Sequence, residues 1–203
     1  MCLLFLILLF PVVGISATKP IILVLGDSIS AGYGIDINQG WVALLQKHLD
    51  EKSYNYRVVN ASVSGDTART GLNRLPAALA QHSPEIVIVE LGGNDGLRGL
   101  AFSEIENSLT QIINLCKKHH AAVLLVGVRL PPNYGAAYIQ QFENLYSKIS
   151  KKYHVALVPR ILDKVADYRQ LLQEDGIHPT AQGQLQVMCN VWVGLKPLLR
   201  QQK

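Results

Sequence analysis

The chain has 203 residues, of which 49% are hydrophobic and 17% are charged. This length suits one well-buried α/β domain, and the composition excludes an intrinsically disordered chain. The formal net charge of +4 comes from basic residues spread along the chain. Their densest patches fall where amphipathic helices should end and are not interleaved with aromatic residues, so we expect no nucleic-acid partner.

The first 18 residues predict an export signal. Residues 1–13 form an apolar run without a charged side chain, which is too short to span a bilayer easily as a permanent anchor. Small residues follow and suit cleavage between Ser16 and Thr18. The alternative is a membrane-associated helix that is never removed, since the run lacks the usual basic start. We expect a signal peptide over 1–18, a single domain over 19–203, and a periplasmic or secreted protein with no stable membrane span.

Five short aliphatic runs predict strands. They are apolar almost without alternation, which is typical of strands buried on both faces of a parallel sheet. The runs cover residues 21–25, 56–60, 86–91, 122–128 and 155–158.

Segments with helical spacing of apolar residues separate these strands. Ser103, with Glu106 three residues later, predicts a capping box at the start of the helix that precedes the fourth strand. A shorter helix before the third strand requires Pro76 in its first turn, and Pro197 limits the end of the last helix. The predicted helices lie near residues 41–49, 74–81, 102–116, 142–149 and 180–195.

The alternation of strands and helices predicts a three-layer α/β/α fold with a flavodoxin-like, doubly wound parallel sheet in the order 2-1-3-4-5. Right-handed crossovers then place the helices after the first and fifth strands on one face and the others on the opposite face. Cys116 and Cys189 fall on opposite faces, so we expect two unpaired thiols. Ligands should bind at the carboxyl ends of the strands, between the first and the third.

Polar residues follow the strands at that edge. Ser28 follows the first strand, Gly65 the second and Asn94 the third, while Asp175 and His178 follow the fifth after a connecting segment. This set suits acyl transfer. His178 is the candidate base for the Ser28 nucleophile, and Asp175 is placed to orient the imidazole. The backbone N–H groups of Ser28 and Gly65 and the Asn94 amide are candidate donors to an oxyanion.

Each of these residues, taken alone, has an ordinary explanation as a helix cap or a turn residue. Their joint position at one edge of the sheet favours an active site. A metal site built from Asp27, Asp95 and His178 is conceivable, but no tight ligand spacing supports it. The glycine-rich loops match no nucleotide-binding motif, and we expect neither a metal nor a cofactor.

Four motifs resemble, in order, the sequence blocks of the SGNH or GDSL hydrolase family. The resemblance implies a monomeric hydrolase of acyl thioesters and carboxylic esters, such as acyl-CoA, lysophospholipids and aryl esters, which works without a metal through an acyl-enzyme on one serine. It gives the four block roles to Ser28, Gly65, Asn94 and His178, with Asp175 completing the triad. The motifs are GDS at 26–28, NASVSGDT around Gly65, GGND at 92–95 and DGIHP at 175–179.

Two other functions remain open at this point. The same fold hosts non-catalytic ligand-binding and phosphoacceptor domains, although the sequence lacks the acidic cluster and the lysine that a receiver domain needs. The triad would also serve a carbohydrate-ester deacetylase. Apolar residues in loops at the active edge favour an acyl-chain groove instead, although Leu72 and Leu75 suit loop packing equally well. These residues are Ile35, Ile37, Leu72, Leu75, Leu97, Pro131, Pro132 and Tyr134.

Overall fold

Five parallel strands form one sheet in the order β2-β1-β3-β4-β5, which confirms the predicted order. The computed structural model describes residues 19–200, so the predicted signal at 1–18 lies outside the described residues. In the central part of the sheet, Val24 is in register with Asn60 on one side and with Ile88 on the other. The strands are β1 (Ile21–Gly26), β2 (Arg57–Asn60), β3 (Ile86–Glu90), β4 (Ala122–Val126) and β5 (Ala156–Val158).

Helices cover both faces of the sheet. Helix α2 packs against α7 on one face, while α3 packs against α5 and α5 against α6 on the other, as the crossover rule predicts. Within residues 19–200, no helix has the length and apolar character needed to cross a membrane. The helices are α1 (Ser28–Ala31), α2 (Trp41–Glu51), α3 (Ala68–His82), α4 (Gly93–Leu97), α5 (Phe102–Lys118), α6 (Ala136–Tyr153) and α7 (Gln184–Leu195).

The predicted start of α3 is wrong. The helix begins at Ala68, where Thr67 and Thr70 form a reciprocal capping box. Pro76 therefore lies in the helix interior and leaves the Leu72 carbonyl without its helical N–H partner. Burial compensates for this loss, because Leu72 and Leu75, which the helix presents to the core, are 8% and 0% exposed.

The predicted capping box at the start of α5 is also wrong. The helix begins at Phe102, with Ala101 rather than Ser103 at the N-cap and no side-chain cap. Glu106 instead forms an ion pair with Lys148 of α6 at 2.9 Å. The first turn is held by packing, since the Phe102 ring stacks on Tyr138 with 5.1 Å between ring centroids.

Both cysteines in the described part of the chain are unpaired, as predicted. Cys116 is buried on α5, and Cys189 is exposed on α7. Burial raises the pKa of the Cys116 thiol to about 12. A thiol in that environment stays protonated and is a poor nucleophile at neutral pH.

Candidate active site

The turn after β1 places Ser28 at the carboxyl edge of the sheet. Asp27 caps α1, and its Oδ1 accepts the Ile29 N–H at 3.0 Å. The helix ends after one turn at Gly32, which adopts a left-handed conformation with φ of 75°. This short helix leaves the Ser28 hydroxyl facing the loop after β5, where Oγ lies 2.7 Å from His178 Nε2.

One carboxylate organises both the backbone and the imidazole of the histidine loop. Asp175 Oδ1 accepts the N–H groups of Ile177 at 2.9 Å and His178 at 3.0 Å. Its Oδ2 lies 2.6 Å from His178 Nδ1. Desolvation raises the pKa of Asp175, but the hydrogen bonds from the His178 ring and from these N–H groups outweigh it and lower the pKa to about 2. The carboxylate is therefore ionised at neutral pH.

Gln173 connects the loop that carries Asp175 and His178 to the turn that carries Ser28, and no sequence motif singled it out. Its backbone N–H donates to His178 O at 2.8 Å. Its side-chain amide donates to Tyr33 O at 2.7 Å and to Pro179 O at 3.0 Å. The Tyr33 ring also lies against the imidazole, with 4.6 Å between ring centroids. The two loops are thus held together although they are far apart in sequence.

Gly65 and Asn94 lie beside Ser28, as the sequence predicts. Gly65 has a φ of 85°, a conformation that favours glycine, and Arg98 donates to its carbonyl oxygen at 3.1 Å. Asn94 Nδ2 donates to Asp66 O at 2.8 Å and lies 3.3 Å from Asp27 Oδ2. Both groups line the same cavity as Ser28 and His178.

The Asp95 carboxylate connects two helices. Its Oδ2 accepts the Ala68 N–H at 2.9 Å, which ties α4 to the first turn of α3. Burial raises the pKa of the Asp95 carboxyl. Across the part of the chain that the structure describes, no three histidine, cysteine or acidic side chains are grouped in a way that would hold a metal ion.

A cavity of about 570 Å³ opens beside the Ser28 hydroxyl. Part of the predicted apolar groove lies there, whereas Leu72 and Leu75 are buried in the core and Ile37 lines a separate depression. Tyr134 braces the cavity wall, since its hydroxyl donates to Leu97 O at 2.8 Å. The apolar wall includes Leu97, Val128, Leu130, Pro131, Pro132 and Leu162.

Charged side chains that sequence reasoning missed also line the cavity. Arg160, Asp163 and Asp167 come from the segment after β5, which has no helical or strand periodicity that would predict their position. Arg160 is held by a two-point ion pair with Glu143 of α6, at 2.9 Å and 3.0 Å. The lining of the cavity therefore combines apolar and charged side chains.

The fold and this geometry define a class of protein. A serine, an imidazole and a carboxylate linked in that order at the carboxyl edge of an α/β sheet have the arrangement found in serine hydrolases. Residues 24–185 match the model of the GDSL-like Lipase/Acylhydrolase family, and the chain belongs to that family. The expected family, and with it an enzyme of the esterase and thioesterase type, is confirmed.

Two named bacterial enzymes are similar to this protein over most of its length. Esterase TesA of Pseudomonas aeruginosa is 50% identical over 183 residues, which cover 90% of this chain and 91% of that protein. Thioesterase 1/protease 1/lysophospholipase L1 of Escherichia coli strain K12 is 46% identical over 169 residues, which cover 83% of this chain and 80% of that protein.

Solved structures show the same fold. The crystal structure of TesA superposes with a TM-score of 0.87 at 50% sequence identity, over 88% of this chain and 99% of that chain. The psychrotrophic esterase EstA from Pseudoalteromonas sp., in a structure inhibited by monoethylphosphonate, gives a TM-score of 0.83 at 34% identity, over 87% of this chain and 97% of that chain.

Proposed function

We propose that this protein hydrolyses carboxylic esters and acyl thioesters through an acyl-enzyme intermediate on Ser28. One observation carries the proposal: an unbroken series of hydrogen bonds joins the hydroxyl, the imidazole and the carboxylate. The distance from Ser28 Oγ to His178 Nε2 is 2.7 Å, and the distance from His178 Nδ1 to Asp175 Oδ2 is 2.6 Å. A serine hydroxyl needs such a base to become a nucleophile near neutral pH.

The reaction proceeds in two halves. His178 Nε2 accepts the Ser28 proton as Oγ bonds to the acyl carbonyl carbon, and it then gives that proton to the departing thiolate or alkoxide. In the second half, His178 takes a proton from water, the hydroxide bonds to the acyl carbon, and the proton returns to Ser28 Oγ as the acid leaves. Asp175 holds the Nδ1 hydrogen and stabilises the imidazolium in both halves. These steps need no metal and no cofactor.

The tetrahedral intermediates carry a negative oxygen, for which we propose three donors: the backbone N–H groups of Ser28 and Gly65 and the Asn94 side-chain amide. Donors that are already fixed in position stabilise the oxyanion without reorganising during the reaction. The 2.8 Å hydrogen bond from Asn94 Nδ2 to Asp66 O supports this role, because it fixes the amide at the cavity, while the second Nδ2 hydrogen has only a longer contact of 3.3 Å with Asp27 Oδ2 and can turn to an oxyanion.

Replacing Asn94 with alanine is expected to lower kcat by about 10²- to 10³-fold, since one oxyanion donor is lost. The substrate KM should change far less, because the donor acts mainly on the transition state. Steady-state kinetics with an aryl ester measure both constants. The variant also loses the hydrogen bond to Asp66, so thermal unfolding is measured alongside. A kcat equal to that of the wild type would exclude Asn94 from the oxyanion site.

The proposed substrates are acyl-CoA, lysophospholipids and aryl esters. The apolar wall of the cavity supports an acyl chain rather than a sugar as the bound group. The names of the relatives point the same way, since the similar Escherichia coli protein is named a thioesterase and a lysophospholipase and the similar Pseudomonas aeruginosa protein an esterase.

A phosphonate ester that mimics the acyl substrate tests the function directly. We expect one phosphonyl group to attach to Ser28, found by mass spectrometry of the peptide that contains residues 26–34. Hydrolysis of an aryl ester and of an acyl-CoA should fall together in proportion to labelling. Heat-unfolded protein serves as the control and should not react. Label on a different residue, or full activity in labelled protein, would contradict the proposal.

We further propose that the protein acts as a monomer outside the cytoplasm, after removal of a signal peptide over residues 1–18. The apolar run without charged side chains over residues 1–13 supports export. The proposed residues of the active site all lie in one copy of the chain, so a monomer would hold a complete site.

A further inference from the structure

A buried acid lies behind the proposed nucleophile and has no part in the reaction as written. Glu90 is the last residue of β3, in register with Gly26 of β1, and it is 1% exposed. Its Oε2 accepts the Ser30 hydroxyl at 2.7 Å and lies 3.4 Å from the Asp27 backbone nitrogen. A carboxyl group buried to this extent would destabilise the fold unless it had a partner, since burying an unpaired charge is costly.

The partner of Glu90 is a second carboxyl group. Asp27 is 3% exposed, its backbone N–H faces Glu90 Oε2 at 3.4 Å, and the two buried carboxyl groups lie close enough to shift each other's pKa. The same Asp27 carboxyl accepts the Ile29 N–H at 3.0 Å and lies 3.3 Å from Asn94 Nδ2. It therefore contacts both the turn that carries Ser28 and the proposed oxyanion donor.

The sequence makes room for this pair. A side chain at position 26 would place its Cβ 2.6 Å from Ser30 Oγ and 2.9 Å from Glu90 Oε2. Both distances are shorter than a nonbonded contact allows, so a larger residue at Gly26 would separate the serine turn from Glu90. The glycine thus allows the last residues of β1 and β3 to approach closely.

Two buried carboxyl groups in contact do not both ionise at neutral pH. Burial, followed by repulsion from Asp27, raises the pKa of Glu90 well above its usual range. Burial also raises the pKa of Asp27, but the Ile29 N–H and the Glu90 hydrogen bond oppose the increase and leave that pKa at about 6. Because the pKa of Glu90 is raised well above its usual range and that of Asp27 only to about 6, Glu90 is the group of the pair that stays protonated at neutral pH.

We propose that Glu90 is a positioning residue, whose protonated carboxyl group fixes Asp27 and, through Asp27, the serine turn and the Asn94 amide. The inference rests on the proposed function, because it assigns a role to groups that serve the same reaction. Glu90 itself contacts neither Ser28 Oγ nor the substrate cavity. It acts by holding Asp27, so its loss is expected to misplace donors rather than to remove one.

Groups from several elements act on the pair. His178 lowers the pKa of Asp27, and Asp66 raises it. Tyr146 of α6 and Asp95 of α4 are buried nearby, and Arg74 of α3 donates to Gly26 O at 3.3 Å. The hydrogen bonds that the structure gives to Glu90 come from Ser30 and Asp27, so a substitution at position 90 changes these two contacts.

Two substitutions separate the proposed role from simple packing. Glu90→Gln keeps a neutral donor toward Asp27 and an acceptor for Ser30, and we expect kcat to stay near that of the wild type. Glu90→Leu fills similar volume without a donor, and we expect kcat to fall by up to about 10²-fold, as for a misplacement of about 1 Å, with KM little changed. The measurement is steady-state hydrolysis of an aryl ester, with thermal unfolding of each variant.

The pH dependence gives a second readout. Native Glu90 holds a proton that the unfolded chain releases above the ordinary glutamate pKa, so this residue reduces the free energy of unfolding as the pH rises from that value toward its raised pKa. Glu90→Gln removes the titrating carboxyl group, and with it this decrease in the free energy of unfolding. We expect the melting temperature and kcat of Glu90→Gln to fall less than those of the wild type as the pH rises above neutral. This comparison stands even if Glu90→Leu does not fold.

Several outcomes would overturn the inference. These are an unchanged kcat in Glu90→Leu with only a lower melting temperature, a kcat in Glu90→Gln as low as in Glu90→Leu, or identical pH profiles for Glu90→Gln and the wild type. Ser30→Ala is the matched control, because it removes the hydrogen bond from the Ser30 hydroxyl to Glu90 while leaving Asp27 and Glu90 in place, and it should lower stability more than kcat. Phosphonate labelling separates the two proposals: a wild type that fails to label at Ser28 refutes the proposed function, whereas equal labelling rates in the wild type and Glu90→Leu refute only the role of Glu90.

Discussion

Replacing Ser28 with alanine is expected to reduce kcat for aryl esters and acyl-CoA on the order of 10⁶-fold, the loss typical of removing a serine nucleophile. The residual rate would come from the oxyanion donors and from substrate binding alone. The same loss is expected for both substrate classes, because both pass through the same acyl-enzyme. Purified protein and a sensitive assay for the released thiol or phenol are sufficient.

The Ser28→Ala protein should fold normally. The Ser28 hydroxyl contacts the His178 imidazole, and its removal leaves the cap of α1 intact because Asp27 forms that cap. Ser64→Ala is the matched control, since Ser64 lines the same cavity and should keep wild-type turnover. Wild-type kcat in Ser28→Ala, or an equal loss in Ser64→Ala, would refute the mechanism.

Replacing Asp175 with asparagine is expected to reduce kcat by about 10⁴-fold, the loss typical of an imidazole held in the wrong tautomer. The asparagine oxygen can still accept the N–H groups of Ile177 and His178, so the loop should keep its shape. The new amide nitrogen would face His178 Nδ1 and place the ring hydrogen on Nε2. His178 would then be unable to accept the Ser28 proton.

The control for Asp175→Asn is the neighbouring substitution Glu174→Gln, which removes a carboxylate from the same loop. It should leave kcat unchanged, whereas wild-type turnover in Asp175→Asn would remove the carboxylate from the mechanism.

The lowered pKa of Asp175 stabilises the folded protein at pH values above the unfolded pKa of 3.8, and this stabilisation is lost as the pH falls toward about 2. Because the Asp175 side chain is 38% exposed, solvent weakens that contribution, and the melting temperature should change little in neutral solution.

Most of the fold could be predicted because its three central strands, β1, β3 and β4, are almost entirely buried. All five residues of β3 are buried, and the first four of them form an uninterrupted aliphatic run, which is typical of a strand covered on both faces. The start of α3 was missed for a local reason: its cap pairs Thr67 with Thr70 rather than with the Glu or Gln of the usual motif. Pro76 then suggested a start, because proline is common in a first helical turn.

The capping box expected at α5 failed for a long-range reason. Glu106 has the right spacing from Ser103, but its side chain pairs with Lys148, 42 residues later in the chain. A local pattern cannot reveal that competition. The sequence left the placement of Leu72 and Leu75 open between groove and packing, because both are apolar whether a helix turns them toward a cavity or toward the core.

The candidate site could be predicted where chain position alone determines the location. Ser28, Gly65 and Asn94 each follow a strand of one parallel sheet, so topology brings them to the same edge. The sequence did not reveal Gln173 or Glu90, because both act through contacts with distant residues: Gln173 with Tyr33, and Glu90 with Ser30. The catalytic roles of the residues at this edge stay predictions for the variants described above.

The separation of 150 residues between Ser28 and His178 has a consequence for biosynthesis. A growing polypeptide whose synthesis has reached the end of β5 contains all five strands and Ser28, but His178, the proposed base, is not yet part of the chain. The loop that carries His178 is followed by Gln184, the first residue of α7, whose side chain accepts the Trp41 N–H at 2.9 Å. This hydrogen bond joins the last helix to be synthesised to α2, which is made early. We therefore expect a nascent or prematurely terminated chain to be inert until this closing segment has folded back onto the older part of the molecule.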